Sequence, residues 1–232
     1  MDLHRRATGD VTDAALRGLV RRGELVRVSR GSYGPGSEWA SASPDERYRL
    51  RVLGVMAGRT AVAVASHESA AALHRLPLLA PDRSRVHVSV DGRGGGASTR
   101  KVAEHRVPLS AQDVTTVDGV QVTTPMRTAL DIACTVGLDR ALCAVESALR
   151  TGAPDLQECL ARLGRRRGIA VARRAVDLAS PLTESIGESW SRALMMQWPE
   201  IPSPRLQHRF LDDRGRIVAR TDFDWDGRLV GE

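Results

Sequence analysis

Apolar positions near the N-terminus recur at the spacing of an amphipathic helix. The predicted helix follows Thr12 and ends at Gly23, and its apolar side carries Leu16, Leu19 and Val20. Its opposite side is basic, with Arg17, Arg21 and Arg22.

A short β-hairpin is predicted directly after this helix. Glu24 to Ser29 has the pattern of a strand, and Arg30-Gly31 forms a turn into Ser32-Tyr33. A helix followed at once by a tight two-stranded ribbon is the order of a recognition helix and its wing. Residues 1–36 are therefore predicted to form a winged-helix DNA-binding element.

Arginine placement provides the physical case for nucleic acid. Five arginines lie on the helix side or the wing that the apolar residues leave exposed: Arg17, Arg21, Arg22, Arg27 and Arg30. Guanidinium groups bind phosphate oxygens or guanine edges in a bidentate manner. The alternative interpretation is a solvated basic helix in an arginine-rich protein.

The next segment is predicted to be a linker followed by two helices. Gly34 and the polar run to Ser43 predict the linker, and a helix follows from Pro44 to about Gly58. The segment 60–65 is short and apolar, so it is expected to be buried. Ser66 is expected to cap a short alanine-rich helix that ends before Pro77.

The hydrophobic period changes to two at Arg85, which predicts a small sheet followed by helices. Strands are expected at 85–90, 101–107 and 119–123, and helices from Thr124 and near 138–150, 155–163 and 168–179. The last fifty residues predict a helix around Glu188 and strands at 205–210, 218–225 and 228–230. The fold class is thus α+β, with a winged helix at 1–36, a mixed α/β domain at 44–179 and a separate α/β unit at 180–232.

Charge and cysteine content limit the partners and the compartment. A net charge of +6 and a pI of about 10.1 favour acidic partners such as DNA or RNA. Cys134, Cys143 and Cys159 are odd in number and too widely spaced for a zinc knuckle, which favours buried, reduced thiols. The sequence has no signal-peptide pattern and no apolar run of membrane-spanning length, so a cytoplasmic location without membrane contact is expected.

Several motifs in series resemble a known family. Ser66-His67-Glu68-Ser69-Ala70-Ala71, then Arg85-Val86-His87-Val88, Asp113-Val114-Thr115 and Thr123 to Asp131, together with the winged helix, resemble the actinobacterial AbiEi-like antitoxins of type IV toxin-antitoxin systems. The C-terminal stretch, with Glu184-Ser185, Glu188-Ser189, Arg192, Gln207 and Thr221 to Trp225, resembles a Vsr-type endonuclease-like domain.

This resemblance implies a transcriptional repressor that binds double-stranded DNA at its own operon. A second domain would counter a nucleotidyltransferase toxin without forming a tight complex. The family has a full helix before the recognition helix, whereas residues 1–10 are too short and polar to supply one. A toxin operon and self-association are the other expected partners, and DNA binding itself would need no cofactor.

The C-terminal acidic residues suggest a nuclease as the alternative function. Nucleases of the PD-(D/E)xK class hold Mg²⁺ between two acidic residues on strands, with a lysine that orients the attacking water. Asp222 and Glu232 occupy the two acidic positions, and Glu188 is a third candidate. The lysine is missing because the single lysine is Lys101, so we expect a truncated remnant that does not cut DNA.

The turn at Asp226-Gly227 decides which carboxylates meet. A two-residue hairpin would place Asp222 opposite Gly231 and point Glu232 to the other face. A longer loop or a bulge would bring Asp222 and Glu232 together. The other interpretation of Asp222, Asp224 and Asp226 is a soluble turn and edge strand.

Other motifs favour structural roles. An HExxH zinc site at His67-Glu68 would need histidine at position 71, where Ala71 stands, and His67 with His74 fits capping and packing better than metal binding. Gly92 to Gly96 predicts a flexible hairpin loop, and Arg165 to Arg167 a solvated connection. A pure protein-interaction module is the third functional hypothesis.

Overall fold

A computed structural model describes residues 4–5, 12–59, 62–92, 98–152, 156–227 and 230–231. The chain forms two compact units. The first comprises Met1–Arg75 and Pro81–Thr124, and the second comprises Leu76–Ala80 and Pro125–Glu232. The mixed α+β class is confirmed, whereas the three-part division at 1–36, 44–179 and 180–232 stays a prediction.

The first unit begins with a small antiparallel sheet beside a helix. Strand β1 (His4–Arg5) pairs with β3 (Ser32–Pro35), which pairs with β2 (Leu25–Ser29). Helix α1 (Asp13–Arg21) packs on β2, and the Thr12 hydroxyl caps it by accepting a hydrogen bond from the Ala15 N–H at 3.3 Å. The helix and the hairpin are where the sequence predicts them.

The predicted linker after the hairpin contains a helix instead. Helix α2 (Gly36–Ser41) occupies it, so the prediction of a linker from Gly34 to Ser43 is wrong. Its last carbonyls are satisfied from outside the segment, because the Arg47 guanidinium donates to Trp39 O at 2.9 Å and to Ala40 O at 2.8 Å. Such tertiary support of a helix end leaves no local sequence signal.

Helix α3 (Pro44–Ala57) follows the sequence prediction closely. Ser43 and Glu46 form a reciprocal capping box, and Gly58 is the C-cap. The helix packs against the β2–β3 hairpin and also against the main sheet of the first unit.

That main sheet has five strands, two more than the sequence pattern predicts. In spatial order they are β6 (Val102–Arg106), β5 (Val86–Val90), β4 (Val64–Ala65), β8 (Val120–Thr123) and β7 (Val114–Val117). The β5–β6 and β4–β8 pairs are parallel, and the other two pairs are antiparallel. Helix α4 (His67–His74) and α3 cover the sheet around a core that includes Tyr48, Val52, Leu73, Val86, Val88 and Val122.

The sequence misses β4 and misjudges the segment that leads into it. Val64 and Ala65 are buried as expected, but Val62 is 85% exposed, so burial of the whole run from 60 to 65 is wrong. Thr60 and Ala61 lie outside the described residues, as do four of the five residues of the predicted Gly92–Gly96 loop. Two residues of strand are too few for a periodic pattern to reveal.

The second unit consists of five helices and a three-stranded sheet among its described residues. The helices are α5 (Pro125–Ala133), α6 (Leu138–Leu149), α7 (Leu156–Leu163), α8 (Ile169–Leu178) and α9 (Ile186–Met195). The antiparallel sheet has the order β11 (Val230–Gly231), β10 (Ile217–Asp224) and β9 (Arg205–Leu211). No helix in the described ranges is long and apolar enough to cross a membrane.

Two buried carboxylates connect the helices of this unit. Asp131 on α5 accepts hydrogen bonds from Arg127 at 3.0 Å and from Arg166 at 2.9 Å. Glu146 on α6 is fully buried and binds Arg192 of α9, the Ser180 N–H and the Thr183 hydroxyl. Because Arg166 is held this way, the prediction of a solvated Arg165–Arg167 loop is wrong for its central residue.

We predict that Asp131→Ala destabilises the protein far more than Glu158→Ala. Both residues pair with an arginine four positions away, but the Arg127–Asp131 side chains are 1% exposed and Glu158 is 63% exposed. Removing Asp131 breaks a buried ion pair, at a cost of about 3–5 kcal/mol. An exposed helical pair is worth about 0.3–0.5 kcal/mol.

Urea unfolding of the two variants beside the wild type measures this difference. Equal shifts in the unfolding midpoint would contradict the assignment of Asp131 as a buried anchor.

Candidate functional site

The basic face of the first unit is built from α1 and the β2–β3 hairpin. It comprises Arg17, Arg21, Arg22, Arg27 and Arg30, and all five side chains are exposed. The inward sides of the same elements are anchored by Leu16 and Val28, which are 6% and 7% exposed. The alternation that buries Val28 therefore turns Arg27 outward.

Charge on this face is predominantly positive. Arg22 pairs with Glu24, and Arg27 Nε donates to its neighbour Ser29 O at 3.3 Å. Across residues 12–35 the only carboxylates are Asp13 and Glu24, against the five arginines of the basic face. Asp13 lies in the first turn of α1, where the helix dipole favours a negative charge.

The hairpin turn is held firmly against α3. The Ser32 hydroxyl, which is buried, donates to Gly54 O at 3.1 Å. A Cβ on Gly54 would lie 2.8 Å from Ser29 Oγ and 3.1 Å from Ser32 Cβ, so only glycine lets the helix approach this closely. Arg30, at the tip, is therefore presented from a fixed base.

The second unit brings together two of the three predicted acidic residues. Gln207 Nε2 donates to Glu188 Oε2 at 2.8 Å and to Asp222 Oδ1 at 3.0 Å. Glu188 lies in the first turn of α9 and Asp222 lies on β10. The third, Glu232, lies outside the described residues.

The strand register excludes the two-residue hairpin. Phe223 pairs with Gly231 and Asp224 with Val230, which is the register of a longer loop. Asp224 is fully buried, so its interpretation as an edge-strand solubility residue is wrong. Burial alone raises the pKa of Asp224, but the hydrogen bond from the Gly227 N–H and the Arg205 guanidinium outweigh it and hold the pKa below its usual range.

A cluster of three histidines lies in the first unit, and it contains His67, which the sequence, together with His74, favours for capping and packing. His67, His87 and His105 each offer a ring nitrogen, and these atoms all lie within 4.8 Å of one another. His87 Nδ1 is 3.0 Å from His105 Nε2, and the His67 and His105 rings stack with their centroids 4.0 Å apart. His74 is not part of the cluster, since its Nε2 lies 2.7 Å from Thr123 O.

The electrostatics of the cluster favour a neutral His87 ring. Burial, together with the nearby His105 and Arg85, lowers the pKa of His87 to about 4. Asp82 acts in the opposite direction but does not compensate. The His87 ring is therefore neutral at pH 7, and its Nδ1 shares a hydrogen bond with His105 Nε2.

The three cysteines are free thiols. Cys143 and Cys159 are buried as the sequence predicts, whereas Cys134 is only partly buried. Burial raises the pKa of Cys134 to about 11 and that of Cys143 to about 12.

Comparison with known proteins identifies the central part of the chain. The AbiEi antitoxin C-terminal domain family matches residues 60–180. This chain belongs to that family. The match contains the histidine cluster and the buried Arg127–Asp131 pair, whereas the basic face and the Glu188–Gln207–Asp222 group lie outside it.

Relatives of this AbiEi-family chain occur in Mycobacterium tuberculosis. Two uncharacterized proteins, from strains CDC 1551 and H37Rv, are each 31% identical over 217 residues, covering 92% of this chain and 74% of the relative. A crystal structure of another Mycobacterium tuberculosis protein, RV2827C, aligns at 18% identity with a TM-score of 0.46, covering 86% of this chain and 73% of that one.

We predict that the thiols of the native protein react slowly and that Cys134 reacts with a steep pH dependence. Only the thiolate is nucleophilic, and a thiol with a pKa of about 11 is ionised in roughly one molecule in a thousand at pH 8. Raising the pH toward 11 should accelerate modification of Cys134 roughly tenfold per unit. A chromogenic disulfide reagent and peptide mapping measure this, with the urea-unfolded chain as control. Native rates that equal the unfolded rates would contradict the burial of these thiols.

Proposed function

We propose that this protein is an antitoxin-like transcriptional regulator that binds double-stranded DNA and represses its own operon. The observation that carries the proposal is the basic face, five exposed arginines on a helix and hairpin that α3 holds rigidly. Membership of the AbiEi antitoxin family supports the antitoxin role. Such a regulator acts in the cytoplasm, and a toxin operon or a second copy of the chain are its further proposed partners.

The dimensions of the basic face suit a DNA groove. Helix α1 has nine residues, so it spans about 13–14 Å, and Arg17 and Arg21 lie one turn apart on it. In a winged-helix arrangement this helix enters the major groove while Arg27 and Arg30 on the wing contact the adjacent backbone. Guanidinium groups in this arrangement contact several phosphates at once.

We expect Arg21→Ala with Arg22→Ala to weaken DNA binding and to flatten its salt dependence. Each phosphate contact that is lost should reduce the slope of log K against log salt by about 0.9. The matched control is Arg173→Ala with Arg174→Ala, an adjacent pair of exposed arginines on α8 that removes the same charge.

Fluorescence anisotropy with the promoter DNA upstream of the gene, at several salt concentrations, distinguishes the outcomes. A reduced slope in the α1 variant alone supports the basic face. Equal slopes in both variants and the wild type would refute it. Retained partner binding without DNA affinity would favour a protein-interaction module.

A second candidate function, a Mg²⁺-dependent endonuclease of the Vsr-like PD-(D/E)xK class, is favoured by one observation. Gln207 bridges Glu188 and Asp222, and its Oε1 is buried without a partner among the described residues. Two carboxylates and a carboxamide oxygen are the hard ligands that Mg²⁺ prefers, so these residues fit the ion. Bound Mg²⁺ would polarise a phosphate oxygen there.

We expect the Glu188–Gln207–Asp222 group by itself to leave DNA intact, because it contains no lysine to orient the attacking water and Lys101 belongs to the first unit. Supercoiled plasmid incubated with Mg²⁺ tests this, with Asp222→Asn beside the exposed Asp213→Asn on the β9–β10 turn. Cleavage by the wild type that Asp222→Asn removes and Asp213→Asn retains would establish the nuclease. It would also make the basic face a substrate-delivery surface.

A further inference from the structure

The fold brings three imidazoles close together from three separate elements. His67 is the first residue of α4, His87 lies on β5 and His105 lies on β6. In the parallel β5–β6 pair, His87 is opposite Ala103 and Ser89 is opposite His105. His87 and His105 therefore lie on the same face of the sheet, on adjacent strands and offset by two residues in register.

The separation of their ring nitrogens approaches that of ligands around one metal ion. Zinc–nitrogen bonds of 2.0–2.1 Å in a tetrahedral site place two nitrogen ligands about 3.3 Å apart. His87 Nδ1 and His105 Nε2 are 3.0 Å apart. All three nitrogens lie within 4.8 Å of one another, so metal binding requires the rings to rotate until the longer separations shorten to about 3.3 Å.

The other nitrogens of two of these rings have the partners that metal-bound histidines use. A histidine that binds a metal through one nitrogen commonly directs its other N–H to a carboxylate, carbonyl or hydroxyl that fixes the ring. His87 Nε2 makes no hydrogen bond among the described residues, and Glu68 Oε2 lies 3.8 Å from it, close to but beyond hydrogen-bond distance. His67 Nδ1 lies 3.1 Å from the buried Ser66 hydroxyl, a contact that fixes the orientation of this ring.

The backbone at His67 is also held in a costly conformation. Its φ is +50°, in the left-handed region that residues other than glycine rarely adopt. Such conformations persist where the surroundings fix them, and they concentrate at ligand sites. Here the conformation places the His67 ring over His105.

We propose that His67, His87 and His105 form a binding site for one divalent transition-metal ion, with Zn²⁺ the best fit. Three imidazole nitrogens suit zinc, nickel or copper and do not suit Mg²⁺ or Ca²⁺. The fourth position is left to solvent, and partly exposed His105 provides the route of entry. The ion would join the edge strand β6 and strand β5 to the start of α4, inside the segment that the family match covers.

Cobalt(II) is the probe for the first test, because four-coordinate Co²⁺ absorbs in the visible range. The full chain, stripped with a chelator, should bind one Co²⁺ with these d–d bands, and Zn²⁺ should displace it. Affinity for Zn²⁺, measured by calorimetry, should fall at least about tenfold in His105→Ala. It should stay unchanged in His208→Ala, which alters a partly exposed histidine of the second unit.

A second variant keeps the test decisive if loss of a ligand impairs folding. His105→Cys supplies a thiolate ligand at the same place, so its Co²⁺ complex should gain a sulfur-to-cobalt charge-transfer band in the near ultraviolet. His208→Cys adds a cysteine elsewhere and should not.

Several results would contradict the proposed metal site. A wild-type chain that binds no Co²⁺ or Zn²⁺ would overturn the proposal. So would unchanged Zn²⁺ affinity in His105→Ala, or a folded His105→Cys chain without the charge-transfer band. Binding of Mg²⁺ with comparable affinity would also overturn it, since imidazole ligands discriminate against that ion.

Discussion

Tyr48, Ser69 and the start of β5 share a buried chain of hydrogen bonds on which the first unit depends. The Tyr48 hydroxyl donates to Arg85 O at 2.8 Å and lies 2.8 Å from Ser69 Oγ, which in turn accepts from the His87 N–H at 2.8 Å. Burial raises the pKa of Tyr48 well above its usual range, so the hydroxyl keeps its proton and remains a donor. These bonds connect α3, α4 and β5 without using any of the proposed functional side chains.

The two sites of the first unit follow from that arrangement. The His87 N–H that Ser69 binds belongs to the residue whose ring joins the histidine cluster, so the position of α4 decides whether the three rings meet. Helix α3 carries Tyr48 in its first half, and Gly54 near its other end supports the hairpin of the basic face. One helix therefore supports both the proposed DNA-binding surface and the proposed metal site, which lie at different places along the sequence.

Features that the sequence predicts well are those with a local physical cause. The capping box at Ser43, the helix of α1 and the turn at Arg30-Gly31 each depend on residues within a few positions, so the pattern gives their type and place. Helix α2 escapes prediction because Arg47, which lies outside the helix, satisfies its last carbonyls. Strand β4 escapes because its partners, Val88 and Val122, lie far along the chain. The histidine cluster escapes for the same reason, since 38 positions separate His67 from His105 in the sequence. The sequence indicates Glu188 and Asp222 as candidates, but only the folded structure shows that Gln207 donates to both of them.

The interleaving of the two units sets an order for folding on the ribosome. Strand β4 reaches its parallel partner β8 only after Thr123 has emerged, so the first unit cannot complete its sheet from its first 75 residues. Residues 76–80 belong to the second unit and can bind α6 only after that helix has been synthesised, because Arg140 of α6 donates to Ala80 O at 2.8 Å. Neither unit is a contiguous stretch of chain, and pairing over such long sequence separations is slow. A nascent chain therefore leaves one edge of β4 unpaired for the time needed to synthesise about fifty further residues, and such exposure favours aggregation.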